Sequence, residues 1–146
     1  MKRSPEQARA ALPIAVAAAA LALGACGPGK AEATALDRAV TAFRQAENAQ
    51  KAARARAVEA APCTVEDVCA ARAACVASAR PTADGLERKQ AVERALASQP
   101  PTPDDPRAKR LLEELTLAES SLAEGQARVL ACDNAMRALR RTYGLR

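Results

Sequence analysis

The chain contains no histidine and no tryptophan, and Phe43 and Tyr143 are its only aromatic residues. Without histidine, Ser-His-Asp and Cys-His nucleophilic catalysis are excluded, as are the usual zinc-water sites built on imidazole ligands. Two rings in 146 residues give no stacking platform for sugars or bases. No pair of carboxylates stands at a spacing that singles it out. The sequence therefore offers no catalytic residue, no metal ligand set and no cofactor site, and a non-enzymatic protein is expected.

What is present is alanine, charge and a sharp division of hydropathy. Lys2, Arg3 and Arg9 precede an uncharged stretch from Ala10 to Ala25, which closes on Leu23-Gly24-Ala25-Cys26. About sixteen Ala-dominated residues are too few to span a bilayer, which needs roughly twenty. A basic start, a short apolar run and small residues before a cleavage point are the parts of an export signal. This segment resembles the signal peptide and lipobox of bacterial lipoproteins. The resemblance implies a signal peptide over 1–25 and a mature chain that begins at a lipidated Cys26. A diacylglyceryl group plus an amide-linked palmitate-type chain would supply the two signals that stable anchoring needs. Gly27, not Asp, follows the cysteine, and in the lipoproteins of diderm bacteria this implies the periplasmic face of the outer membrane. Murein lipoprotein, also small, helical and lipidated, is attached to peptidoglycan through a C-terminal Lys; Arg146 stands at that place here, so the linkage is not implied.

Residues 1–25 hold three basic residues and one acid, so their removal lowers the formal charge from +5 to +3. That balance is too mild for a nucleic-acid binder, and an envelope address argues against one as well. The expected partners are the membrane, through Cys26, and another envelope component. A core built largely of Ala buries little area per residue, so a domain of roughly 120 residues would be marginal without reinforcement.

Start and stop signals divide the mature part into a flexible tether over 26–33 and a helical domain over 34–146. Thr34 with Asp37 three residues on resembles a capping box, and the helix it opens is expected to run to about Ala61, before Pro62. Thr64 with Asp67 repeats the signal for a second helix, which meets Pro81 and is expected to kink there and restart at Asp84, with Glu87 as its box partner. Pro100, Pro101 and Pro103 mark a stiff loop. Asp105 as N-cap and Pro106 at the first helical position open a third helix, and Gly144 ends it.

The third helix carries the clearest periodicity. Ala108, Leu111, Leu115, Ala118, Leu122, Gly125, Val129, Cys132, Met136, Leu139 and Tyr143 keep alternating three- and four-residue steps, the pattern of a coiled-coil seam. The first helix offers a weaker stripe of Leu36, Val40, Phe43, Ala46, Ala53, Ala57 and Ala60, interrupted by Gln50. An all-α fold follows, most simply an antiparallel up-down-up three-helix bundle with coiled-coil-like packing. The alternative is an αα-hairpin that dimerises, because Ala-rich seams allow chains to approach closely.

Four cysteines remain beyond Cys26, and in an oxidising compartment an even number reads as two disulfides with three connectivities. Cys69 and Cys75 would stand about 9 Å apart along a helix axis, beyond disulfide reach. Cys63 with Cys75 is worse. Cys75 with Cys132 fits two antiparallel helices at equal height, leaving Cys63 with Cys69. Loop-closure entropy assigns roughly 4 kcal/mol to the long loop and roughly 2.5 to the short one. Zinc would need paired short spacings and a redox couple a C-x-x-C, and neither is present.

Arg137, Arg140, Arg141 and Arg146 crowd the end of the third helix, where cations meet unpartnered carbonyls. Leu117 and Leu130 fall off its seam but do not share a face, so each is expected as an isolated exposed apolar residue. The reading that results is a lipid-anchored periplasmic helical protein that binds, escorts or inhibits another envelope component. The alternative is a small-ligand-binding or hydrolytic lipoprotein that uses Asp, Glu and Arg alone.

Overall fold

The computed structural model describes residues 27–102 and 104–145. The signal segment and Cys26 lie outside the described residues, as do Pro103 and Arg146. Four α-helices pack together: α1 (Pro28–Gln45), α2 (Lys51–Glu59), α3 (Glu66–Ser98) and α4 (Pro106–Tyr143), with a single 3-10 turn at Asn48–Gln50 between the first two. The described residues contain no strand, so the fold is all-α.

The two long helices, α3 and α4, form an antiparallel hairpin. Its turn is set by proline, and Asp105 caps α4 by accepting from the Arg107 main-chain N–H at 2.9 Å, with Pro106 in the first turn. At the other end Gly144 takes the left-handed conformation, φ 60°, and closes the helix. Every seam position expected on α4, from Ala108 to Tyr143, is buried or half-buried, whereas Leu117 and Leu130 are exposed. The facing stripe on α3 is Val68, Ala71, Cys75, Ser78, Gly85 and Val92. It keeps the same three- and four-residue steps, with Thr82 half-buried and Lys89 exposed in the two remaining places.

This hairpin is closely spaced because its central contacts lack side chains. A Cβ on Gly125 would meet Thr82 Oγ1, and the Ser78 O and Thr82 N main-chain atoms at 3.0 Å; one on Gly85 would stand 2.8 Å from both Ala118 O and Leu122 Cγ. The approach lets the Ser78 hydroxyl donate to the Gly125 carbonyl at 3.0 Å. Packing on both flanks also explains why α3 does not restart at Asp84. The Cys75–Cys132 link holds the turn before Pro81, the Gly85 contact holds the turn after it, and the helix runs through the proline unbroken. Asp84 is exposed.

Two expectations for the first arm are corrected. The tether is shorter than 26–33: α1 begins at Pro28, and Gly29, Glu32 and Ala33 are buried within it. Thr34 therefore sits inside the helix, where its hydroxyl donates back to Lys30 O at 2.7 Å. Proline at the first helical position costs nothing there, since that N–H would be unpaired anyway.

The single helix expected over 34–61 is instead two, folded back at 46–50. Continuing the Leu36, Val40, Phe43 stripe calls for apolar residues near 47, 50 and 54, and the chain has Glu47, Gln50 and Arg54. The helix gains nothing by continuing. After the turn the buried positions are Ala55, Val58 and Ala61, one step out of phase, while Ala53, Ala57 and Ala60 are exposed. Lys51 secures the reversal by donating to the last α1 carbonyls, Phe43 O at 2.6 Å and Arg44 O at 3.0 Å.

α1 lies antiparallel to α4, as the pairs Arg140–Asp37 (2.8 Å) and Arg44–Asp133 record. α2 returns along α3, setting Ala55 against Ala79 and Ala83 and pairing Glu59 with Arg80 at 2.6 Å. The core gathers at this four-helix end, around Leu36, Val58, Val68, Cys75 and Met136.

Candidate functional site

The cysteines meet in the expected pairs. Cys75 and Cys132 are 4.5 Å apart between Cα atoms, both buried, at the height where the two hairpin helices cross the four-helix core. Cys63 and Cys69 are 5.0 Å apart. Cys63 stands in the loop before α3 and Cys69 in its first turn, so the short link folds that loop over the helix start.

The cap at that start is not the one the sequence suggests. Thr64 does not serve Asp67; its hydroxyl donates to Glu32 of α1 at 2.6 Å, and the Thr64 and Val65 N–H groups reach the same carboxylate at 2.7 and 3.3 Å. Glu32 thus places a negative charge at the positive end of α3 from another helix. The Thr64 hydroxyl, then its N–H, hold the carboxyl below its ordinary value of 4.5, with Val65 N–H adding to them against the opposing effect of burial. A pKa lower in the folded than in the unfolded chain contributes stability that is complete above about 4.5 and lost as pH falls through the folded value. Glu32→Gln should accordingly be less stable than the parent at pH 7, with the gap narrowing by pH 3. Thermal melts at both values check this; a gap that widens in acid would assign the stabilisation elsewhere.

The arginines near the end of α4 are largely occupied within the fold. Arg140 pairs with Asp37, Arg137 donates to Asn134, and Arg141 is exposed. Tyr143 donates to Asp67 at 2.9 Å, which raises its pKa. Among the described residues no group of three or more Cys, Asp or Glu side chains is placed to hold a metal ion.

A half-enclosed cleft of about 230 Å³ opens where the four helices converge. Val40 and Phe43 of α1, Val58 of α2, Ala79 of α3 and Val129 of α4 line it, with Cys75 and Cys132 beneath. It exists because small residues face one another: Ala79, Ser78 and Thr82 leave space that larger chains would fill. Lys51 and Arg44 stand at its edge. Arg44 is paired with Asp133. The Lys51 ammonium lies 4.7 Å from the Phe43 ring centroid, and burial pushes its pKa below the ordinary lysine value. Neither Lys51 nor the cleft was marked by spacing or motif. The one signal available was the failure of the Leu36 stripe at Glu47 and Gln50, which forces a turn at this place.

Comparison with protein families, with curated proteins and with solved structures finds no match for this chain.

Proposed function

We propose that the chain is a lipid-anchored, non-enzymatic helical protein of a bacterial envelope that binds, escorts or inhibits another envelope component. The observation that carries this reading is the placement of Pro28. With α1 starting there, a lipid on Cys26 would mount the four-helix end against the membrane through almost no tether. The α3–α4 hairpin would then reach away from it. α2 and α3 line a common groove as far as Glu87, and the eleven residues Arg88–Ser98 extend the hairpin by about 16 Å beyond that point. This stretch and the facing part of α4 expose Leu96, Leu112 and Leu117, apolar side chains suited to a protein partner. In this reading the architecture is a three-armed, coiled-coil-like bundle whose first arm is folded back on itself. The outer-membrane address and the signal peptide over 1–25 belong to the same proposal. Among the described residues no helix is long and apolar enough to cross a membrane.

The expected result is that Cys26→Ser leaves the membrane fraction or accumulates as uncleaved precursor. Purification from crosslinked membranes should recover a stoichiometric protein partner with the parent and not with that variant. Unchanged acyl labelling and membrane attachment of the Ser variant would overturn the anchor, and a parent recovered alone would overturn the interaction role.

A further inference from the structure

The cleft between the four helices has at its mouth a charge with no ion-pair partner among the described residues. Lys51 satisfies two of its donors with the Phe43 and Arg44 carbonyls, whose place at the negative end of α1 offsets its full charge only in part. The ion pairs of the described lysines are Lys89–Glu93 and Lys109–Glu113; Lys51 has none among the described residues. Asp133, beside the rim residue Arg44, is already held by it. The mouth is therefore cationic and the interior apolar. Below Lys51 the accessible apolar surface is made by the half-buried Phe43 and Val129, with Val58 and the Cys75–Cys132 link packed behind them. Gln126 at the rim is exposed and makes no hydrogen bond among the described residues, so its amide is free to donate.

Size narrows the occupant. An apolar cavity of about 150 Å³ takes up benzene; about 230 Å³ suits a medium-length alkyl chain or one substituted ring, and is below the usual range for larger ligands. We propose that this cleft binds a small anionic amphiphile, a carboxylate on an aliphatic or single-ring body, with the carboxylate against Lys51 and the body against Phe43 and Val129. Charge-assisted hydrogen bonding to an ammonium is stronger than to a neutral donor, and the partly desolvated position of Lys51, which depresses its pKa, leaves it more to gain from an anion than a fully hydrated lysine. The inference stands on the cleft alone and does not need the anchor at Cys26.

Sodium octanoate is the probe, titrated into the full chain carrying Cys26→Ser, with octylamine as the control of opposite charge. Octanoate should bind saturably with a Kd on the order of 0.1–1 mM, as expected for about ten heavy atoms, and should move the methyl resonances of Val58 and Val129. Octylamine should bind at least tenfold more weakly. Lys51→Gln should remove that preference by weakening octanoate. Because Lys51 also closes the α1–α2 turn, Val129→Phe serves as a second variant, filling the cleft and abolishing binding of both probes. Equal binding of the two probes by the parent would overturn the proposal. So would methyl resonances left unmoved by octanoate, whether because residues 1–26 or a second copy fills the cleft or because nothing does. Octanoate affinity retained in the Phe variant would place the binding elsewhere and have the same effect.

Discussion

Replacing Cys75 and Cys132 together with alanine is expected to lower the unfolding free energy by about 4 kcal/mol, the largest effect of any local change in this protein. The link closes a loop with a sequence separation of 57, and loop-closure entropy for that length sets the figure. The variant also removes two sulfur atoms from a buried place beside a cleft, and the void they leave adds to the loss. Total stabilities of single domains are about 5–15 kcal/mol, so much of this one's would go. Urea melts of the double variant and of the parent, with and without reductant, measure it. A double variant as stable as the oxidised parent would mean that the hairpin seam alone carries the fold. Removing Cys63 and Cys69 should matter less, since their separation is 6.

The second large effect is expected at Gly125. In an open helix, Gly→Ala gains about 1 kcal/mol of helix propensity. Here the added Cβ meets main-chain atoms of Ser78 and Thr82 at 3.0 Å, and backbone cannot rotate aside as a side-chain tip can. Gly125→Ala should therefore be destabilising despite the propensity gain, and Gly125→Leu should cost about 3 kcal/mol. Denaturant melts with the mass measured in solution decide it. A Leu variant that matches the parent would remove the close approach of α3 and α4; one that is stable only as a dimer would favour the dimeric hairpin.

How much of this was legible in the residues varies along the chain for physical reasons. The α3–α4 hairpin was readable because each of its determinants is local: Asp105-Pro106 starts α4, Gly144 stops it, and eleven seam residues keep one face. The cysteine pairing followed from axial rise. Glu32 was not readable as a cap because the N–H groups it serves are 32 and 33 residues away in sequence. Thr64-Asp67 mimicked a box that the fold does not use. The reversal at 46–50 has neither glycine nor proline to announce it, only the loss of apolar residues from one face. The tether was misjudged because Gly27, Pro28 and Gly29 look flexible, although proline is well suited to a first helical turn. The cleft was the least legible feature. It arises from what four helices leave unfilled between them, and no single segment records that.

The two cysteine pairs have a consequence for how the molecule is made. Numbered from the N-terminus beyond Cys26, the first cysteine pairs with the second and the third with the fourth. A chain threaded amino end first into an oxidising compartment, as proposed for this one, presents Cys63 and Cys69 together and then holds Cys75 single until Cys132 emerges. A catalyst that joins cysteines in order of arrival would reach the final connectivity without breaking a bond. The wrong neighbour pair, Cys69 with Cys75, is disfavoured as soon as α3 forms, since six residues of helix separate them by about 9 Å. Maturation should then need an oxidant but no isomerase.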